Sequence, residues 1–155
     1  MPRRGSVVPQ GKMDLAIDPG VRGTGWALFS TTSGALLEAC GGGMPPFEHA
    51  RRVVIELPQV YPYDPVPPND LITLACLVGR YATAATALEA TEVYLIRPHA
   101  WKGTMPKQVC TSRIRFRMRP EEVAMAEGCG VPAGQLHNTL DAVGIGLVVF
   151  RGIRI

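Results

Sequence analysis

Three carboxylates stand at positions where folding alone gives little reason for an acid. Asp18 follows the short apolar run 13–17, Glu56 ends the apolar stretch VVIE, and Asp141 lies within the apolar run LDAVGIGL. A buried carboxylate is costly unless it is paired or binds a metal ion. Hard divalent cations prefer oxygen ligands, and two of them can activate water and stabilise the leaving oxygen of a phosphodiester. The three acids therefore predict metal-dependent phosphodiester chemistry.

Each acid also has an ordinary structural interpretation. Asp18 precedes Pro19-Gly20 and suits a turn, Glu56 has Arg51 and Arg52 nearby as ion-pair partners, and an Asp on a helix is commonly exposed. For each acid considered alone, the structural role is commoner in proteins than a catalytic role. A basic surface in the same chain changes the balance, because a nuclease needs both parts.

Such a basic segment spans residues 97–119, which contain seven Lys or Arg residues and no Asp or Glu. The whole chain has a net charge of only +3, so the positive charge is concentrated in this segment. Neutralising phosphates releases condensed counterions, and the segment therefore favours a nucleic acid partner. A solvated basic face without a ligand is the alternative.

Two polar residues precede the last acid at helical spacing. His137 and Asn138 lie four and three residues before Asp141, so a helix places both side chains on the same face as Asp141. Either residue is a candidate fourth metal ligand or a group that positions the attacking water. A helix-start role is the alternative.

Composition indicates one globular domain. The chain has 155 residues, of which 46% are hydrophobic and 19% charged, enough to build a packed core. The four cysteines are spread without zinc-type spacing, which favours reduced thiols in a cytoplasmic protein. The N-terminus has no apolar core of a signal peptide, and no stretch suits a membrane span of roughly 20 residues. We expect no membrane partner.

Hydrophobic periodicity and turn residues predict the elements that position these groups. Residues 1–12 are predicted to be a flexible basic arm and 13–155 a single domain. Loop 58–68 contains five prolines, and Asn69 is the predicted N-cap of the helix after it. The predicted strands are 13–17, 25–31, 35–40, 52–57 and 92–96, and the predicted helices are 70–90, 106–115, 120–127 and 134–150. A meander followed by helices and strands predicts a mixed α/β sheet with helices on both faces.

Four segments in order resemble the RuvC-like Holliday junction resolvases of the RNase H-like superfamily: AIDPGVRGTGWAL, VVIELPQVY, IRPHAWKGTMPK and HNTLDAVGIGL. The resemblance runs from about residue 13 to residue 150, and the short chain is also compatible with a phage-encoded member. It implies an RNase H-like fold, in which an antiparallel three-strand meander is joined by parallel strands. It further implies that Asp18, Glu56 and Asp141 hold Mg²⁺ or Mn²⁺, two ions per site. Asn138 stands where the family commonly has Asp or His.

The same resemblance implies a DNA-binding surface, and the approximate two-fold symmetry of a four-way junction favours a homodimer. Lys102 and Lys107 correspond to lysines near the scissile phosphate, with Lys102 also stabilising charge during cleavage. Tyr61, with Tyr63 as its rival, corresponds to an aromatic residue that stacks on bases at the junction centre. The remaining phosphate contacts are assigned to Arg113, Arg115 and Arg117. The apolar helix 70–90 is the predicted homodimer surface, and no small-molecule cofactor is expected.

The predicted function is therefore a metal-dependent endonuclease that resolves four-way DNA junctions by paired symmetric nicks. A YqgF-like nuclease acting on structured RNA is an alternative on the same fold. A nucleotide-binding domain of the actin type would use the Asp-x-Gly turn and Thr24-Gly25 for phosphate, although that fold needs two domains. A DNA-binding protein of the same fold without catalytic activity is the last alternative.

Overall fold

Five strands form one mixed sheet in the computed structural model, which describes residues 13–63 and 66–155. The predicted arm 1–12 lies outside the described residues. The strands are β1 (Met13–Asp18), β2 (Gly25–Ser30), β3 (Leu36–Gly41), β4 (Ala50–Glu56) and β5 (Glu92–Ile96), in the order β3-β2-β1-β4-β5. Strands β1, β2 and β3 are antiparallel neighbours, whereas β4 runs parallel to β1 and β5 parallel to β4. This strand order and these directions confirm the predicted RNase H-like fold.

The central strand β1 is apolar on both sides because both faces of the sheet are covered. Leu15 and Ile17 point to one face and pack in a cluster with Val78 and Tyr81. Ala16 points to the opposite face and belongs to a second cluster with Ile114 and Leu140. The side chains alternate along the strand, so one short sequence supplies both cores.

Helices cover the two faces unequally. On the first face lies α1 (Pro68–Ala87), against β4 and β5. The second face carries α5 (Leu136–Arg151), which crosses β1 and β2. Three shorter helices lie around it: α2 (Pro98–Lys102), α3 (Lys107–Arg117) and α4 (Pro120–Glu127). The prediction of helices on both faces is confirmed. No helix in the described ranges combines the length and the apolar character that crossing a membrane requires.

The structure corrects the predicted start of α1. The helix begins at Pro68 with Pro67 as its N-cap and without a side-chain cap, so Asn69 lies inside the first turn. Proline is suited to this first position because its missing N–H has no partner there in any helix. The predicted end at residue 90 is also too late, since the helix stops at Ala87 and Glu89 adopts a positive φ of 64°.

The glycines in α5 have a packing role that outweighs their low helix propensity. A Cβ atom on Gly146 would lie 2.0 Å from Cε2 of Phe29, whose ring is fully buried in β2. No real Cβ tolerates such a distance, so this glycine allows the helix to lie close against the sheet. Close packing of α5 is what brings Asp141 down to the level of the strand ends.

A buried carboxylate ties the elements at the far end of α5. Glu122 in α4 accepts hydrogen bonds from the backbone N–H of Leu36 (2.9 Å) and of Arg119 (3.0 Å), and its carboxylate pairs with the Arg151 guanidinium. Burial alone would raise the pKa of Glu122, but the bonds from Arg151 and the two backbone groups outweigh it and lower that pKa. The ionised carboxylate therefore stabilises the fold.

We expect Glu122→Gln to lower the free energy of unfolding by about 3 kcal/mol at neutral pH, because Arg151 loses its buried partner. A lowered pKa stabilises the folded protein above the pKa of the unfolded carboxyl, about 4.3, and this contribution disappears as the pH falls through the folded value. Urea unfolding at several pH values measures the difference. A loss of equal size at neutral pH and far below the unfolded pKa, at about pH 2, would contradict the assignment.

Candidate active site

Two of the predicted acids end neighbouring parallel strands. Asp18 is the last residue of β1 and Glu56 the last of β4, and the residues before them, Ile17 and Ile55, are register partners. Parallel strands end at the same edge of a sheet, so the two carboxylates lie side by side. Asp141 approaches this edge from α5, and Lys102 makes ion pairs with both Glu56 and Asp141. The fold thus brings together three acids that are far apart in the sequence.

The site carries more negative charge than its surroundings neutralise. Burial, and then the neighbouring Glu56 and Asp141, raise the pKa of Asp18 well above its usual value. Burial also raises the pKa of Glu56 and of Asp141, although the Lys102 ammonium acts in the opposite direction on both. Desolvated carboxylates that lie close together repel one another, and a cation bound between them relieves that repulsion.

Lys102 supplies the nearest positive charge, at the last position of α2. Its Nζ lies 3.8 Å from Oε2 of Glu56 and 3.7 Å from Oδ2 of Asp141. The preceding residue, Trp101, is buried and donates a hydrogen bond from Nε1 to the same Glu56 oxygen at 2.5 Å. Sequence analysis missed both α2 and Trp101. The one feature of the sequence that could have indicated Trp101 is its position directly before the candidate Lys102.

The donor set suits a divalent cation, but it is not arranged as a finished metal cluster. Within residues 13–63 and 66–155, no group of three His, Cys, Asp or Glu side chains is placed so that it could hold an ion together. The Lys102 ammonium lies between Glu56 and Asp141 instead. The fit is one of charge and ligand type, because carboxylate oxygens in excess of their counter-charges are what Mg²⁺ prefers. Joint binding by Glu56 and Asp141 requires that ammonium to move aside.

Asn138 and His137 differ in what they contact. Asn138 donates from Nδ2 to the carbonyl oxygen of Gly23 at 2.6 Å, which ties the start of α5 to the turn after Asp18. His137 lines the same cavity as Asp18 and Asp141. Burial first, and the positive charge of Lys107 next, lower the pKa of His137, so its ring is largely neutral at neutral pH. A neutral imidazole can accept a proton or bind a metal ion.

A close contact between β2 and α5 sets the height of this helix. Gly25 is the register partner of Asp18, and a Cβ at Gly25 would lie 2.0 Å from the carbonyl oxygen of Asn138. Any larger residue would push the first turn of α5 away from the sheet. The glycine therefore helps to hold Asp141 opposite Asp18.

A cavity of about 290 Å³ is lined by Asp18 and Asp141, while Glu56 lies behind Lys102 and is not part of the lining. Lys107, the exposed first residue of α3, adds a second ammonium to its wall. Cys110 also lines it, and burial followed by the charge of Asp141 raises the pKa of that thiol to about 11. A protonated thiol is a poor nucleophile, so Cys110 is a wall residue of this cavity rather than a candidate nucleophile. Six predicted residues thus share one cavity: Asp18, Lys102, Lys107, His137, Asn138 and Asp141.

The other predicted DNA-binding residues lie outside that cavity. Tyr61 is 39% exposed in the loop after Glu56, and its rival Tyr63 is 98% exposed. Arg113, Arg115 and Arg117 lie on α3, which runs to Arg117 rather than to the predicted residue 115. Among these arginines, Arg115 is already paired, with its Nε 2.5 Å from Oε1 of Glu127. The basic run is therefore not one uniform surface.

Comparison with known proteins gives a structural likeness only. No family model matches the chain, and no curated protein matches it. One similar solved structure is described as T. thermophilus RuvC in complex with Holliday junction substrate. It is 19% identical, covers 88% of this chain and 90% of that chain, and has a TM-score of 0.44. A second, described as Thermus thermophilus RuvC structure, is 16% identical, covers 90% of this chain and 96% of that chain, and has a TM-score of 0.47. Both carry the family name that the sequence motifs resemble. At identities and TM-scores this low, the function of the chain rests on its own site.

Proposed function

We propose that this chain is a divalent-metal-dependent endodeoxyribonuclease that resolves four-way DNA junctions by paired symmetric nicks. The observation that carries the proposal is the convergence of Asp18, Glu56 and Asp141, whose pKa values are all raised by burial, beside two lysines. Acids that repel one another need a cation, and lysines at the same cavity suit a phosphate. Both needs are met by a phosphodiester with divalent cations.

The three carboxylates would hold Mg²⁺ or Mn²⁺, with two ions as the proposed number. Bound ions of this kind polarise water and offset the charge that develops on the phosphate oxygens. His137 and Asn138 remain the candidates for the fourth position. The neutral ring of His137 can accept a proton from water at a ring nitrogen, whereas the Asn138 amide cannot and already has a structural bond to Gly23.

Lys102 and Lys107 are proposed to bind the phosphates at and beside the cut. Lys102 is half-buried on the wall of the cavity and Lys107 is exposed on its rim. An ammonium fixed close to the reacting group stabilises the added negative charge of the transition state. Tyr61, in the loop beyond Glu56, is proposed to stack on bases at the junction centre, since stacking requires only an exposed aromatic face.

A homodimer would present two such sites to two strands. The proposed surface is the outer face of α1, which buries Val78, Tyr81 and Ala85 against the sheet and leaves other apolar side chains exposed, among them Ile72 at 62%. A two-fold dimer matches the approximate two-fold symmetry of a four-way junction. Paired nicks are the consequence that can be observed.

The function is tested by incubating the protein with a four-way junction, a linear duplex of the same sequence and a structured RNA. Mg²⁺, Mn²⁺ and a chelator are compared for each substrate. We expect metal-dependent cleavage of the junction, at symmetric positions in two strands within one binding event, because a dimer offers two sites at once. Equal cutting of the duplex would contradict the junction preference. Preferred cutting of RNA would select the YqgF-like alternative instead.

A further inference from the structure

A second basic cavity, of about 540 Å³, lies at the end of the sheet opposite the acids. One wall is the turn between β2 and β3, and the turn begins beside Ser30, the register partner of Met13 at the start of β1. Asp18 stands at the other end of the same strand. Along α5, ten residues separate Asp141 from Arg151 at this cavity, which at 1.5 Å per residue is about 15 Å. The two cavities are therefore separate sites.

Arg117 and Arg119 supply the positive charge of this second cavity. They flank Met118, which is extended and buried in the core at 7% exposure. Arg117 is the last residue of α3 and Arg119 is the N-cap of α4, and both are exposed on either side of the buried Met118. Neither has an acidic partner within residues 13–63 and 66–155, whereas Arg115 is bound to Glu127. Two unneutralised guanidinium groups thus share one opening.

The rest of the cavity is held rigidly. The turn is closed by bonds between the backbones of Ser30 and Ala35 (2.8 Å) and of Gly34 and Ser30 (2.8 Å). Arg151 donates to the Gly34 carbonyl and pairs with the buried Glu122, so its charge is already neutralised. Thr32 and Ser33 also line the cavity. The Thr32 hydroxyl shares a hydrogen bond with that of Ser30 (3.1 Å), and Ser33 Oγ accepts from the Ala35 N–H (3.3 Å), which leaves the Ser33 hydroxyl proton free to donate. A fixed turn with a hydroxyl donor beside two free guanidinium groups is suited to a tetrahedral oxyanion.

We infer that this cavity binds a backbone phosphate of the DNA arm that leads away from the cut, through Arg117, Arg119, Thr32 and Ser33. The inference rests on the proposed function for the identity of the polymer. Guanidinium groups match phosphate oxygens in a planar fork, which fixes position without reading sequence. At about 15 Å from the acids, the contact cannot touch the reacting atoms. It holds the arm and sets its direction.

The test measures binding of labelled junction and linear duplex by fluorescence anisotropy in a chelator, across a series of salt concentrations. We expect Arg117→Gln and Arg119→Gln each to reduce the slope of log affinity against log salt by about 1, and the double variant by about 2. Arg115→Gln is the matched control, since its charge is already paired, and its slope should stay at the wild-type value.

Two results would overturn the inference. One is a control variant that loses as much slope as the other two, which would mean that the whole run acts as a diffuse charge. The other uses thermal melting with and without inorganic phosphate. If phosphate stabilises the wild type but not the double variant, and the double variant still binds DNA as the wild type does, the cavity binds a free anion instead. Failure of the proposed function is distinguishable, because it appears as a wild-type protein that binds DNA but does not cut it when metal is added.

Discussion

Asp18→Asn is expected to slow junction cleavage on the order of a thousandfold, about 4 kcal/mol in activation free energy, and at the same time to stabilise the metal-free protein. The loss of activity follows from removing a ligand charge at the centre of the site. The gain in stability follows because the pKa of Asp18 is raised by burial and by two neighbouring acids, so its ionised form destabilises the fold at neutral pH. Single-turnover cleavage and thermal melting in a chelator measure the two effects.

Asp14→Asn provides the control on the same strand. Asp14 is as deeply buried as Asp18, but it accepts a hydrogen bond from Nε of Arg52 at 2.8 Å and lies at the opposite end of β1. We expect this variant to lose about 2 kcal/mol of stability, because charged hydrogen bonds are broken, and to cleave at the wild-type rate. A destabilised Asp18→Asn protein, or equal losses of activity in the two variants, would show that Asp18 is a structural acid.

Lys102→Gln is expected to have opposite effects on metal binding and on cleavage. The ammonium lies within 4 Å of both Glu56 and Asp141 and competes with a cation for their oxygens. Without it, we expect Mg²⁺ to bind the free protein about tenfold more tightly, since removing a close like charge relieves electrostatic repulsion. Cleavage at saturating Mg²⁺ should nevertheless fall about a hundredfold, because the phosphate loses a positive group in its transition state. Calorimetric titration without DNA gives the first quantity.

Lys107→Gln makes the same change of charge in the same cavity without breaking an ion pair. Lys107 is exposed and makes no ion pair with an acid in the part of the chain that the structure describes. Its ammonium still opposes the rise in the pKa of Asp18 and Asp141, but from beyond ion-pair distance, so its variant should tighten Mg²⁺ binding less than Lys102→Gln does. If Lys102→Gln weakened Mg²⁺ binding, or if the two variants changed it equally, Lys102 would not be the group that occupies the space between the acids.

Local signals in the sequence were sufficient for most of the sheet. The runs that became β1 and β4 are apolar, β-branched in part and bounded by turn residues, and they were predicted to within a few positions. Helix α2 was missed because five residues are too few for a helical period to show. The start of α1 was misplaced because two prolines began the helix where a polar cap was expected at Asn69.

The sequence by itself determined which acids could do chemistry. Asp18, Glu56 and Asp141 stand in or beside apolar runs, and the cost of burying a carboxylate makes such positions informative without any structure. Tertiary structure decided which partners these and the basic residues have. It placed Lys102 between two acids, engaged the Asn138 amide with the Gly23 carbonyl, and paired Arg115 with Glu127 while leaving Arg117 and Arg119 at a second cavity. The physical reason is that the interaction energy of two charges depends on their separation in space. For residues far apart in the chain, only folding sets that separation.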